Sequence, residues 1–143
     1  MPSVYDVARY LLETYGPMSA MKLQKLVYYS QAWSLVWDDR PMFDEPLEAW
    51  ANGPVVYDLY QTHRSQFTVQ ECPKGDVAHL DKDARETIDA VWKFYGDKSA
   101  QYLSDLTHLE SPWKNARQGL APGEVSRNEI TIAAMHEYYS GLQ

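Results

Sequence analysis

The sequence predicts a mainly α, compact single domain over residues 1–143: about six helices bundled around a buried central helix, with at most a small β-hairpin. Three observations carry this reading. Lys22 to Trp37 is apolar around nearly its whole circumference, with Leu23, Leu26, Val27, Ser30, Trp33 and Trp37 along one side and Tyr28, Tyr29, Ala32, Leu35 and Val36 along the other. A helix that is apolar all round is one that other elements enclose. Amphipathic helical spacing recurs on both sides of it, and 143 residues with 45% hydrophobic content suffice for one core without disulfide or metal staples.

The elements follow in order. Ser3 caps a first helix running to about Tyr15, with Asp6 in capping-box position; Val4, Val7, Ala8, Leu11, Leu12 and Tyr15 form its inner face, and Gly16-Pro17 stops it. Ser19 caps the central helix. Lys22, Gln24 and Lys25 are its polar first turn and a half, so this end is expected at solvent and the Trp33–Trp37 end enclosed. Prolines 41, 46 and 54 then forbid a continuous helix. Leu47 to Ala51 suits a short extended segment with Glu48 and Trp50 facing one way, and Asn52-Gly53-Pro54 signals a turn, after which a third helix is expected from Pro54 to about Arg64.

Gln66 to Val77 carries too much turn chemistry for a long strand and suits one short hairpin. From Leu80 the helical period returns through Ala84, Ile88, Val91, Trp92 and Tyr95, with Asp81 or Asp83 as cap and Gly96 as stop. Ser99 caps a fifth helix through Tyr102, Leu103 and Leu106. Residues 109–125 read as irregular. Ser126-Arg127-Asn128-Glu129 reads as a capping box for a sixth helix, whose apolar face is Ile130, Ala133, Ala134 and Tyr138.

The formal net charge of −7 repels duplex nucleic acid overall. Cys72, the lone cysteine, forms no bridge within the chain and favours a reducing compartment. No segment has the apolar length of a membrane span or the pattern of a secretory leader, so a cytoplasmic protein without membrane partners is expected. Trp 5 and Tyr 11 are an aromatic excess that serves cores and interfaces equally well.

Chemistry finds little to stand on. Ser104, Asp105 and His108 could be assembled into a triad, with Glu110 nearby for a metal-dependent variant, but no nucleophile elbow exists and Ser104 precedes Asp105 directly. His108 instead suits hydrogen bonding within its loop, to Thr107 or Glu110. His63, His79, His108 and His136 are scattered singly, and no phosphate-binding glycine loop appears. No catalytic residue, cofactor or metal is therefore assigned. Lys22, Gln24 and Lys25 could touch a phosphate or a base edge, but without clustered arginines they read better as a solvated turn.

A protein interface remains. Trp50, Gly53, Pro54, Val55, Tyr57 and Trp113 lie at element ends or in loops, where Trp50 and Trp113 suit either a partner surface or a lid on the core. Asp38, Asp39, Asp44, Glu45 and Glu48 are read as surrounding this patch, where they would steer a basic partner.

Three blocks in this order, Lys22-Leu23-Gln24-Lys25-Leu26-Val27-Tyr28-Tyr29, then Glu48-Ala49-Trp50 with Gly53-Pro54-Val55-Val56, then Leu103-Ser104-Asp105-Leu106-Thr107-His108 with Pro112-Trp113, resemble the Panacea domain, the family of SocA-like antitoxins and phage-associated GepA-type proteins. The resemblance spans about Ser19 to the carboxyl end. It implies a mostly helical, non-enzymatic antitoxin that binds and neutralises a cognate protein toxin encoded by the neighbouring gene. Lys22, Gln24, Lys25, Thr107, His108 and Pro112 carry over as motif residues without assigned chemistry. Because such motifs are shared among members with unrelated toxins, specificity is expected instead in Ser65 to His79 and near Asp38. Two other classes stay open, a proteolytic adaptor that delivers the toxin to a protease and a small hydrolase or metal-dependent enzyme, as does homodimerisation.

Overall fold

The computed structural model describes residues 1–142. Seven α-helices are found among them: α1 (Val4–Tyr15), α2 (Ala20–Trp37), α3 (Tyr57–Thr62), α4 (Lys82–Tyr95), α5 (Ala100–Leu109), α6 (Ser111–Ala116) and α7 (Ile132–Ser140), with a short 3-10 turn at Val77–His79. The strands are β1 (Met18–Ser19), β2 (Leu47–Trp50), β3 (Gly53–Val56), β4 (Thr68–Val69) and β5 (Glu129–Ile130). The fold class is mainly α, as the sequence predicts. Helix α2 is its axis, packed by α1, α4, α5, α7 and β3, and Leu23, Leu26, Val27, Tyr28, Tyr29 and Ala32 are buried in it.

Capping chemistry explains most boundaries. Ser3 Oγ accepts from Asp6 N while Asp6 Oδ2 accepts from Ser3 N at 2.8 Å, a reciprocal box that starts α1. Ser19, Asp81 and Ser99 cap α2, α4 and α5 through their side-chain oxygens. Inside α2 the polar residues satisfy the backbone of other segments: Gln31 Oε1 accepts from Met42 N at 2.6 Å while its Nε2 donates to Phe43 O at 2.8 Å, and Ser34 Oγ donates to Arg40 O. The Asp38-to-Pro46 loop is thereby pinned along the helix.

Four local expectations are corrected. Pro54 does not open a helix: Gly53–Val56 is a strand pairing antiparallel with Leu47–Trp50 through the Ala51-Asn52 turn, and α3 starts at Tyr57. Two β-branched valines and a partner strand outweigh the helical preset of proline. Ser126 starts no helix either, since its Oγ accepts from Asn128 N while Glu129–Ile130 joins the sheet, in the order β3-β2-β5, by pairing with Leu47–Glu48. Helix α7 is capped by Thr131, and Met135 and Tyr139, rather than Tyr138, are its buried residues. The hairpin expected within Gln66 to Val77 is one short strand, β4, pairing with β1. The segment read as irregular from residue 109 contains α6, which Pro112 opens at a first-turn position.

Helix α2 is also inverted in exposure relative to expectation. Lys25 is 1% exposed and Gln24 is buried, while Trp37 is 47% exposed. The polar end is the enclosed one.

Candidate partner-binding site

The three sequence blocks that stand far apart in the chain meet at the amino-terminal end of α2. Gln24 uses its whole amide on one residue, Nε2 donating to Val56 O at 3.2 Å and Oε1 accepting from Val56 N at 2.9 Å. Lys25 Nζ donates to Pro54 O at 3.2 Å. Strand β3 is an edge strand, and these two side chains take the hydrogen bonds that a fourth strand would have taken. This is why residues that read as a solvated turn are buried.

Gly53 sits in the cleft between the blocks with φ 118°. A Cβ there would lie 2.6 Å from Lys25 Cε and 3.0 Å from Thr107 Oγ1, so both backbone conformation and close approach require glycine. The third block closes the corner. Ser104 Oγ donates to Asn52 O at 2.6 Å, Trp113 Nε1 donates to Trp50 O at 2.8 Å, and His108 stacks on Trp113 with centroids 4.0 Å apart. His108 Nε2 finds no hydrogen-bond partner among the described residues, so the expected bonds to Thr107 or Glu110 do not form. Glu110 is buried on the other side of α5, accepting from Tyr29 and Tyr139 hydroxyls at 2.7 Å each. Ser104, Asp105 and His108 are thus no hydrolytic triad: the serine hydroxyl is committed to a backbone carbonyl and Asp105 to Gln101.

Beside this corner opens a groove of about 560 Å³ between the start of α2, the β2–β3 hairpin, α3 and the Val125–Arg127 segment. Trp50, Tyr57 and Tyr60 form an aromatic wall, with Trp50 and Tyr60 rings at 4.9 Å and Tyr57 and Tyr60 at 6.2 Å. Arg127 lies over the Tyr57 ring at 4.0 Å and grips both Glu48 oxygens, at 2.9 and 3.0 Å. Glu48 also accepts from Trp50 Nε1 at 2.8 Å. Partial burial disfavours the charged form of Glu48, but the bonds from Arg127 and Trp50 outweigh it and hold this carboxyl below its ordinary value. Lys25 and His63 also line the groove. Burial pushes the Lys25 ammonium down to about 7, and burial likewise lowers the His63 imidazole.

The sequence-predicted residues therefore divide. Trp50, Val55 and Tyr57 line the groove; Gly53 and Pro54 are buried behind it; Trp113 is packed in the corner as a support for Trp50. Pro112 is buried at the start of α6, and Lys22, half-buried, donates from Nζ to Gly96 O. Asp38 and Asp39 lie at the opposite end of α2, a helix about 27 Å long. They do not adjoin Trp50, and Glu48, which does, is already paired. Tyr60, His63 and Arg127 were not singled out from the sequence. Tyr60 and His63 arrive with α3, which follows the hairpin directly, and Arg127 arrives through the pairing of β5 with β2.

The sequence matches the family described as "Antitoxin SocA-like, Panacea domain" over residues 23–114, more than half of the chain and a span that holds all three blocks except Lys22. The chain belongs to this family. Among curated proteins it is similar to Antitoxin SocA of Caulobacter vibrioides, with 31% identity over 110 residues, which cover 68% of this chain and 58% of that protein. The chain thus aligns with less than two thirds of that relative's length. No solved structure matches it. The Panacea-domain span ends at Lys114, just past the Trp113 that supports Trp50, while Arg127 and the Val125 segment that complete the groove lie beyond it. No described helix is long and apolar enough to cross a membrane, and among the described residues no group of three or more His, Cys, Asp or Glu side chains could hold a metal ion.

Proposed function

We propose that the protein is the antitoxin of a toxin-antitoxin system, binding a cognate protein toxin encoded by the neighbouring gene and masking its active site through the groove face. The observation that carries this reading is where the motif blocks converge. They build a rigid corner, and beside it stands an open groove walled by Trp50, Tyr57 and Tyr60, the residue types that dominate interface energetics. Membership of an antitoxin family supports a protein toxin as the partner. The Ser65–His79 stretch, exposed over most of its length and reaching the groove rim at Ser65 and Gln66, is suited to setting which toxin is accepted.

Co-expression with the neighbouring reading frame, scored for growth and for co-purification, tests the proposal. Masking gives rescued growth with an intact, stable complex of standard interface size. Rescue with disappearance of the neighbour's protein would replace masking by delivery to a protease, and a neighbour that is harmless when expressed alone would sink the antitoxin reading.

A further inference from the structure

The end of α2 away from the groove presents an indole to solvent. Of the five tryptophans in the chain, Trp37 alone is exposed. One of its ring faces is stacked on Trp33, with centroids 4.9 Å and planes 25° apart. Trp33 is itself fixed, its Nε1 donating to the Tyr95 hydroxyl at 3.0 Å. Trp37 is thus held on a firm platform while its other side meets water. Six other aromatic rings have a Lys or Arg of the same chain over their faces, those of Trp92, Trp113 and Tyr57 among them. Trp37 has no such cation among the described residues.

The charges beside it run against what a helix end favours. A helix carboxyl terminus is the negative pole and is stabilised by Lys, Arg or His in its last turn. The last turn of α2 holds none, and Asp38 and Asp39 follow it. Asp39 leaves the helix in the left-handed conformation, φ 54°. Its side chain is 90% exposed, with His136 Nε2 at 3.8 Å as its ion-pair neighbour. Asp38 accepts from Thr87 Oγ1 at 2.8 Å. Arg40, the next cation along the chain, is drawn away to Asp81, its Nη2 lying 2.9 and 2.8 Å from the two carboxylate oxygens.

We propose that this end of α2 is a second docking surface, on which an arginine of the bound toxin, outside the segment that fills the groove, stacks on Trp37 and pairs with Asp39. The identity of the partner rests on the antitoxin reading; the chemistry of the surface does not. Charge complementarity carries the assignment, because an open indole, an exposed carboxylate and the negative pole of a helix all attract a cation, and the chain supplies none over the ring. A guanidinium fits better than an ammonium: it is planar, weakly hydrated and able to lie flat on an aromatic ring while its N–H edge meets a carboxylate. Trp37 lines neither the groove nor the two smaller cavities. An open surface of this kind suits a side chain carried by a partner protein and gives no enclosure to a free small cation. The net charge of −7 steers a basic partner towards the molecule as a whole.

The first test needs no toxin. The whole protein is titrated with the peptide acetyl-Gly-Arg-Gly-amide and, separately, with its citrulline and lysine counterparts, following the Trp37 indole N–H by NMR. Citrulline keeps the shape of arginine without its charge, and lysine keeps the charge without the plane. The arginine peptide is expected to bind at least about fivefold more tightly than the citrulline peptide and about threefold more tightly than the lysine peptide. Trp37→Leu is expected to erase the preference for arginine over lysine, and Asp39→Asn to narrow the preference for arginine over citrulline. Equal affinities for the three peptides, no binding by any of them, or shifts confined to Trp50 and the groove would overturn the assignment. Because the three probes are compared on the unaltered protein, the result stands even where a variant folds poorly.

The second test uses the toxin complex. Trp37→Leu is expected to weaken it at least about fivefold, and one Arg→Gln change in the toxin is expected to have the same effect without adding to that of Trp37→Leu. A Trp37→Leu protein that folds and binds toxin at full strength would overturn the toxin as occupant. So would sedimentation of the protein alone as a dimer that Trp37→Leu dissociates, which would give the surface to a second copy of the chain. Failure of the neighbouring protein to be toxic would remove the antitoxin reading while leaving the peptide comparison to decide whether this surface takes arginine.

Discussion

Two of the buried ionisable groups, Lys25 within α2 and Glu110 packed against it, are accommodated in opposite ways. Glu110, packed against the aromatic cluster of α2 and α7, accepts hydrogen bonds from Tyr29 and Tyr139, and Tyr139 in turn pairs with Tyr28 at 2.9 Å. Lys25, at the groove, has one backbone acceptor. Burial drives both towards neutrality, raising the Glu110 carboxyl despite its two tyrosine donors and lowering the Lys25 ammonium. The difference teaches which polar group ties elements together and which has bonding capacity left over: Glu110 Oε1 joins α2 to α7 through two hydroxyls, whereas Lys25 makes a single bond to the backbone.

Breaking the Glu110 network is expected to have the largest effect. Glu110→Ala strips the acceptor from the Tyr29 hydroxyl in a sealed core and loosens the tether of α7, at a cost of about 3 kcal/mol, read from urea unfolding. A loss below about 1 kcal/mol would mean that the network is not the clamp described here. Next comes Gly53→Ala, which combines a left-handed φ with the collision against Lys25 Cε. It is expected to cost about 2 kcal/mol, whereas Gly119→Ala, whose Cβ would meet no atom within 4 Å, isolates the backbone part of that penalty.

Lys25→Met sharpens the contrast, because the counterpart of a damaging Glu110 change is expected to stay within about 1 kcal/mol of the parent at neutral pH, the lost burial cost of the charge offsetting the lost bond to Pro54. It carries a pH signature. The unfolded lysine titrates near 10.5 and the folded one near 7, so between these values the unfolded state holds the extra proton and stability rises with pH, by at most about 1.4 kcal/mol per unit. Thermal melts from pH 7 to 9 are expected to climb in the parent and to be flatter in Lys25→Met. Equal slopes would show that the lysine is not held in the low-dielectric site described. The smallest stability effect is expected for Tyr60→Ala on the exposed groove wall, within about 0.5 kcal/mol, while toxin binding falls about tenfold or more. Unchanged binding would move the interface elsewhere.

Much of the fold was legible in the residues. The caps at Ser3, Ser19, Asp81 and Ser99, the stops at Gly16 and Gly96, and the apolar faces of α1 and α4 are local, and local hydrogen bonding realised them. The misread segments share one cause. Pro54–Val56 and Glu129–Ile130 carry acceptable helix signals, but each found a strand partner, the first across the Ala51-Asn52 turn and the second in Leu47–Glu48, far back in the chain. Of the groove, Trp50, Val55 and Tyr57 could be named in advance because they stand beside turn residues, whereas Tyr60, His63 and Arg127 carry no sequence mark of their neighbourhood.

By itself the sequence determined a mainly helical chain wound around one largely apolar helix, and its three spaced blocks determined the family. Only the tertiary structure decided what those blocks are for. Lys25 and Gln24 are polar, and polarity alone sends a side chain to water. They are buried because an edge strand from another part of the chain offers backbone groups that must be satisfied, and the free energy of meeting that demand depends on a neighbour the local sequence does not contain.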